Sequence, residues 1–110
     1  MANIVIADRD PTLLQRLAAP LAEKGHQVIV FEDVFHAWDH LSLGGTDLLV
    51  TDIIHLPGQP HGIALANHAA RYSKGVRTVF ITADPDLAHE QDVPALTKSV
   101  DPQRLSEMLA

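Results

Sequence analysis

The chain has 110 residues, of which 46% are hydrophobic, and this suits one globular domain with a single modest core. Its formal net charge of −6 argues against the basic face that binding to nucleic acid or to an anionic membrane surface requires. The chain has no cysteine, no signal-peptide pattern and no apolar run near the roughly 20 residues that span a bilayer. A cytoplasmic protein without disulfides is therefore the simplest expectation.

Short apolar runs alternate with helical patterns along the whole chain. The runs are continuously apolar, which is typical of strands that are buried on both faces. Strands are predicted near residues 3–7, 27–31, 47–52, 77–82 and 95–98. Helices are predicted near residues 11–24, 34–43, 61–73 and 102–109. This alternation predicts one α/β domain over residues 1–110, with a doubly wound five-stranded parallel sheet in the order 2-1-3-4-5.

Asp-Pro pairs and glycines mark the ends of the predicted helices. The pairs Asp10-Pro11, Asp84-Pro85 and Asp101-Pro102 predict helix starts, because aspartate caps a helix and proline is tolerated at its first position. Gly25 and Gly75 fall where the first and third helices are expected to end.

The interiors of these helices predict a kink and two core-facing surfaces. Pro20 lies inside the first helix, where it removes a backbone hydrogen bond to Arg16 and costs about 3 kcal/mol or bends the helix. The second helix is expected to turn inward Val34, Phe35, Trp38 and Leu41. The third helix is expected to turn inward Ile63, Ala66, Ala69 and Ala70.

Four polar residues stand where predicted strands end, namely Asp8, Asp52, Thr82 and Lys98. The carboxyl ends of parallel strands lie along one edge of the sheet, and ligands bind in the crevice beyond that edge. A carboxylate is able to attack phosphorus, while cations and hydrogen-bond donors offset the charge of the transferring group. Two carboxylates also suit Mg²⁺, which prefers oxygen ligands. These residues therefore indicate a phosphoryl-transfer site.

The strand ends resemble those of the response-regulator receiver domains of bacterial two-component signalling, the CheY-like family. The matching segments, which occur in the same order and spacing, are residues 4–8, 49–52, 80–83 and 96–99. This resemblance implies that Asp52 accepts a phosphoryl group from a histidine kinase or a phosphotransfer protein. It further implies that phosphorylation changes the affinity of the domain for a downstream protein partner.

The same resemblance implies roles for the other strand-end residues. Asp8 and Asp52 would hold a divalent metal ion, most simply Mg²⁺, Thr82 would bond to the phosphoryl oxygens, and Lys98 would pair with the phosphoryl group or the carboxylate. The protein would be a signalling module and not an enzyme, with at most self-phosphorylation and autodephosphorylation at Asp52. The start at Met1 favours a free-standing receiver, and the oligomeric state stays open.

The chain departs from the family pattern directly after the first strand. Receivers usually carry two adjacent acidic residues at this point, whereas this chain has Asp8 followed by Arg9. A guanidinium has no lone pair to offer a metal ion, and Asp10 is needed as a helix cap. Arg9 is then a surrogate cation in place of the metal, an ion-pair partner of Asp52, or an exposed residue with neither role.

A second departure concerns the segment between Thr82 and Lys98, which is several residues shorter than in typical receivers. The fourth helix of the fold is therefore expected to be shortened. Ala95 stands where receivers usually have an aromatic residue, and Ser99 stands where proline is usual. The loop at residues 55–62 is correspondingly long, so the usual output face is expected to be remodelled.

Two functions remain open at this point. The first is a phosphorylatable receiver, and the second is a pseudo-receiver that acts as a phosphorylation-independent protein–protein interaction module, as Arg9 and Ala95 suggest. A flavodoxin-like flavin or nucleotide binder is disfavoured, because residues 8–11 are acidic and lack glycine. His36 and His40 have the spacing of zinc ligands on a helix, but the spacing fixes no third ligand.

Overall fold

A parallel sheet between two layers of helices forms the frame of the molecule. The computed structural model describes residues 2–53, 61–82, 95–97 and 102–108. The strands are β1 (Asn3–Ala7), β2 (Gln27–Phe31), β3 (Leu48–Asp52), β4 (Arg77–Thr82) and β5 (Ala95–Thr97). The helices are α1 (Pro11–Glu23), α2 (Val34–Leu41), α3 (Gly62–Tyr72) and the C-terminal helix α4 (Pro102–Met108). None of the described helices is long and apolar enough to cross a membrane.

The sheet has the order β2-β1-β3-β4-β5, and all of its strand pairs are parallel. This confirms the predicted class and the predicted order of the first four strands, while β5 adds three residues beside β4. The predicted shortening of the fourth helix falls on residues 83–94, outside the described part of the chain. The same holds for Asp84-Pro85, Lys98, Ser99 and Asp101.

Two hydrophobic clusters, one on each face of the sheet, form the core. Successive residues of β1 point to opposite faces, so Ile4 and Ile6 join one cluster and Val5 joins the other. On the first face, the sheet is covered by α1 and α4, with buried Leu14, Leu17, Leu21 and Leu105. On the second face, it is covered by α2 and α3, with buried Val34, Ala37, Leu41, Leu65 and Ala69. Helices on both faces explain why the strands are continuously apolar.

The ends of α1 follow the predicted signals. The side-chain Oδ1 of Asp10 accepts hydrogen bonds from the backbone N–H groups of Thr12 at 3.0 Å and Leu13 at 3.3 Å. Gly25 follows the helix with a φ of 92°, a conformation that favours glycine. The helix continues through Pro20 to Glu23, so the proline is accommodated within one element.

The predicted inner face of α3 was right at Ala66 and Ala69 and wrong at Ile63 and Ala70. Ala69 is buried and Ala66 packs against the core, whereas Ile63 is 44% exposed and Ala70 is exposed. Leu65 is fully buried against the sheet instead of Ile63, and its burial sets the rotation of the helix.

The predicted inner face of α2 was wrong at one position. Phe35 is 49% exposed, and Ala37 is buried in its place. Val34, Ala37 and Leu41 follow the helical spacing of i, i+3 and i+7, with the small alanine in the middle of the contact. Trp38 is partly buried at the edge of the same cluster.

Candidate functional site

Three of the four strand-end residues meet at one edge of the sheet. Asp8 follows β1 directly, Asp52 is the last residue of β3, and Thr82 is the last residue of β4. Because β3 pairs in parallel register with both β1 and β4, the three side chains belong to the same carboxyl edge. Lys98 comes directly after β5 but lies outside the described residues.

These three residues are buried although they are polar. Asp8 is 1% exposed, Asp52 is 8% exposed and Thr82 is 3% exposed. Oδ1 of Asp8 accepts a hydrogen bond of 2.9 Å from the backbone N–H of Asp10, and this bond fixes the orientation of the carboxylate. Two carboxylates held out of water beside one another repel, and a cation between them lowers that cost.

The donor set of this edge fits a hard divalent cation. Mg²⁺ typically takes one or two carboxylates and completes its shell with waters and phosphate oxygens. Among the residues that the structure describes, there is no group of three or more His, Cys, Asp or Glu side chains that could hold a metal ion. Asp8 and Asp52 are the described buried carboxylates at this edge, and a metal role for them stays a prediction.

Arg9 and Asp10 have separate surroundings. The carboxylate of Asp10 is occupied as the cap of α1, as expected. Arg9 is exposed, and within the described ranges it forms no ion pair with Asp52. The role of Arg9 in the site stays a prediction.

The backbone of Asp52 is held tightly on two sides. The hydroxyl of Thr51 donates a hydrogen bond of 3.0 Å to the carbonyl oxygen of Asp52. The N–H of Gly62 donates one of 2.8 Å to the carbonyl oxygen of Ile53, and a Cβ atom on Gly62 would collide with the carbonyl oxygen of Asp52. This contact was not predicted from the sequence, although a glycine at the first position of a helix is a signal for a close backbone approach.

His68 is a second residue whose surroundings were not predicted from the sequence. Its ring stacks on that of Trp38, with the ring centroids 3.7 Å apart and the planes inclined by 16°. Its Nε2 atom lies 2.8 Å from Oγ of Ser42 and 3.1 Å from the carbonyl oxygen of Trp38. The sequence signal for its burial is its position three residues after Leu65, on the apolar face of α3.

The helix-spaced histidines do not form a metal site within the described part of the chain. Nδ1 of His36 lies 3.5 Å from Oδ2 of Asp33, one turn earlier on the helix. The ring of His40 packs instead against Phe31, with the centroids 5.4 Å apart. Each imidazole has a partner of its own, and the two partners lie in different elements.

The sequence of the chain is similar to that of a known receiver protein. No family model matches the chain. A response regulator receiver protein of Brucella abortus, CpdR, is 29% identical over 104 residues, which cover 89% of this chain and 85% of that protein.

Solved structures of receiver domains have a similar fold. The receiver domain of the hybrid histidine kinase CckA is 26% identical, with a TM-score of 0.80 over 97% of this chain and 94% of that one. The Thermotoga maritima response regulator TrrA, solved in complex with Mg²⁺-BeF, is 24% identical, with a TM-score of 0.80 over 99% and 96% of the two chains. The resemblance noted in the sequence is thus confirmed: the chain has the fold of CheY-like receiver domains, and its sequence is similar to that of a response regulator receiver protein.

Proposed function

We propose that this protein is a phosphorylatable receiver that accepts a phosphoryl group on Asp52 from a histidine kinase or a phosphotransfer protein. The observation that carries the proposal is the burial of two carboxylates and a threonine at one carboxyl edge of neighbouring parallel strands. Receiver domains are generally signalling modules and not enzymes, so any self-phosphorylation or autodephosphorylation at Asp52 would be the full extent of its chemistry.

The proposed reaction uses the carboxylate of Asp52 as the nucleophile. One carboxylate oxygen attacks the phosphorus of a phosphohistidine, the P–N bond breaks, and the imidazole nitrogen keeps the electron pair and takes up a proton. The product is an acyl phosphate on Asp52. Thr82 would donate its hydroxyl hydrogen to a phosphoryl oxygen, and Lys98 would pair with the same group.

Charge balance explains the expected requirement for a cation. Asp8 is buried beside the acceptor, so it would repel the incoming phosphoryl group if nothing offset its charge. Mg²⁺ held by Asp8 and Asp52 would supply that positive charge. A similar response regulator has been solved in complex with Mg²⁺-BeF. Arg9 is the residue of this chain that would supply a surrogate charge if no metal were used, after a rearrangement that brings it into the site.

The remaining parts of the proposal concern the protein as a whole. Residues 1–110 would act as one receiver domain in the cytoplasm, where phosphorylation of Asp52 changes affinity for a downstream protein. A shortened fourth helix, together with Ala95 in place of the usual aromatic residue, would give that partner a remodelled surface.

Intact-mass measurement with a small phosphodonor, in the presence and absence of Mg²⁺, tests this function. We expect one phosphoryl group to be added in the presence of Mg²⁺, and no addition in the Asp52→Asn variant. This variant is a close control, because the amide has nearly the same shape as the carboxylate but is a poor nucleophile. Addition without Mg²⁺ that is lost in Arg9→Ala would identify Arg9 as the surrogate cation.

The alternative is a pseudo-receiver that binds protein partners without phosphorylation. The observation that favours it is the exposed Arg9 at the position where receivers usually have a second acidic residue. Folded protein that gains no phosphoryl group from several small donors and from phosphorylated phosphotransfer proteins would decide for this alternative.

A further inference from the structure

The outer edge of β2 has a backbone pattern that can accept another strand. β2 pairs with β1 alone in the described sheet. The N–H of Gln27 donates to the carbonyl of Ala2 at 2.9 Å, and the carbonyl of Phe31 accepts from Asp8 at 3.1 Å. Odd-numbered residues therefore direct their backbone groups toward β1, and the N–H and C=O groups of Val28 and Val30 point away from the sheet.

Within the described residues, β2 itself carries none of the sequence features that usually protect an edge strand. The segment from Gln27 to Phe31 reads Gln-Val-Ile-Val-Phe, without proline, glycine or charge and with high β propensity. Ile29 in its centre is 42% exposed. Beside Ile29 lies a hollow of about 250 Å³, whose lining includes His40 and Leu43, and Leu43 is itself 80% exposed.

The residue before β2 can donate a hydrogen bond to the residue after β2 in a second copy of the strand. His26 precedes β2, and its Nδ1 accepts a hydrogen bond of 3.0 Å from the N–H of Ala2, which leaves Nε2 as its N–H donor. Glu32 follows β2 and is exposed. When two such strands run antiparallel with Ile29 opposite Ile29, each His26 lies opposite Glu32 of the other copy. The pattern matches a second copy of the same strand.

We propose that β2 is a self-association edge, through which two copies of this protein pair antiparallel about a twofold axis at Ile29. Val28 of each copy then forms a hydrogen-bonded pair with Val30 of the other, which satisfies the outward N–H and C=O groups of both residues. The two Ile29 side chains contact at the axis, and each partly covers the hollow beside Leu43.

The proposed interface is isologous, so it closes after two copies and does not propagate into fibres. One pair of five-residue strands is smaller than the interfaces of permanent dimers, and association in the micromolar to millimolar range is therefore expected. This inference is independent of the function proposed for Asp52, since Asp8, Asp52 and Thr82 take no part in the contact.

Sedimentation velocity of the full chain over a wide concentration range tests the proposal. We expect the mass to rise toward twice that of the monomer as concentration increases. Ile29→Lys places two ammonium groups at the axis and should weaken association about tenfold. Ile63→Lys is the matched control, because Ile63 is the same residue type on α3 with 44% exposure against 42%, and it should leave association within about twofold.

Backbone amide NMR of the wild-type chain locates the contact. The amides of Val28 and Val30 should shift with concentration and gain protection from hydrogen exchange, while those of Gln27 and Ile29 already bond to β1. A mass that stays monomeric at all concentrations would overturn the proposal. Equal effects of the two lysine variants, or concentration-dependent shifts confined to another surface, would overturn it as well.

Discussion

Asp8 and Asp10 are two residues apart but have different tasks. Asp8 is buried at the sheet edge, and Asp10 is exposed as the cap of α1. Either residue could be mistaken for a metal ligand from the sequence alone, because both follow the first strand. Burial beside Asp52 assigns the ligand role to Asp8 in our proposal, and this assignment can be tested separately from phosphorylation.

We expect Asp8→Asn to weaken Mg²⁺ binding by about tenfold or more, because an amide oxygen without charge replaces a carboxylate. The amide oxygen still accepts the N–H bond from Asp10, so the fold should be kept. Asp10→Asn is the control, since asparagine caps helices as well as aspartate does. An NMR titration measures the Mg²⁺ affinity of both variants. A larger loss of affinity in Asp10→Asn than in Asp8→Asn would contradict the assignment.

Gly62 limits the space around the acceptor. A Cβ atom at this position would meet the carbonyl oxygen of Asp52 and the Cα atom of Ile53, both of which are backbone atoms that cannot rotate away. We therefore expect Gly62→Ala to destabilise the protein by about 1–3 kcal/mol and to slow phosphorylation of Asp52. Urea unfolding and intact mass measure the two effects. Ile63→Ala, at the next and exposed position, should change stability by about 0.5 kcal/mol or less.

Helix α1 contains a proline in its interior, at Pro20, and the fold tolerates it. Pro20 has no N–H for the carbonyl of Arg16, yet the helix is unbroken, since Leu17 and Leu21 on either side of the proline are fully buried and hold both halves against the sheet. Packing therefore outweighs the local preference of the sequence within this element.

We expect Pro20→Ala to stabilise the protein by about 2 kcal/mol. The gained hydrogen bond and relieved clash are worth about 3 kcal/mol, and the extra freedom of the unfolded chain removes about 1 kcal/mol. Pro11→Ala is the control, because proline at the first helical position loses no bond and its replacement should be nearly neutral. Equal stabilisation by the two changes in chemical denaturation would show that α1 is not strained at Pro20.

For the molecule as a whole, the sequence predicted what depends on chain order and missed what depends on contacts between elements. Alternating strands and helices with right-handed crossovers restrict the sheet to a few strand orders, and in any of them the carboxyl ends of the strands place Asp8, Asp52 and Thr82 at one edge. The rotation of α3 depends on how Leu65 fits against the sheet. The role of Gly62 depends on the backbone of Asp52 and Ile53, which belongs to a different part of the chain from α3. Neither is encoded in local periodicity.

The stack of Trp38 on His68 gives the molecule an optical reporter. The chain has a single tryptophan, and its indole ring lies where α2 meets α3, on the opposite face of the sheet from α1. Its fluorescence therefore comes from one known place and requires no label. A change in emission during phosphorylation would mean that the event at Asp52 reaches the α2–α3 surface, whereas constant emission would confine the response to other parts of the domain.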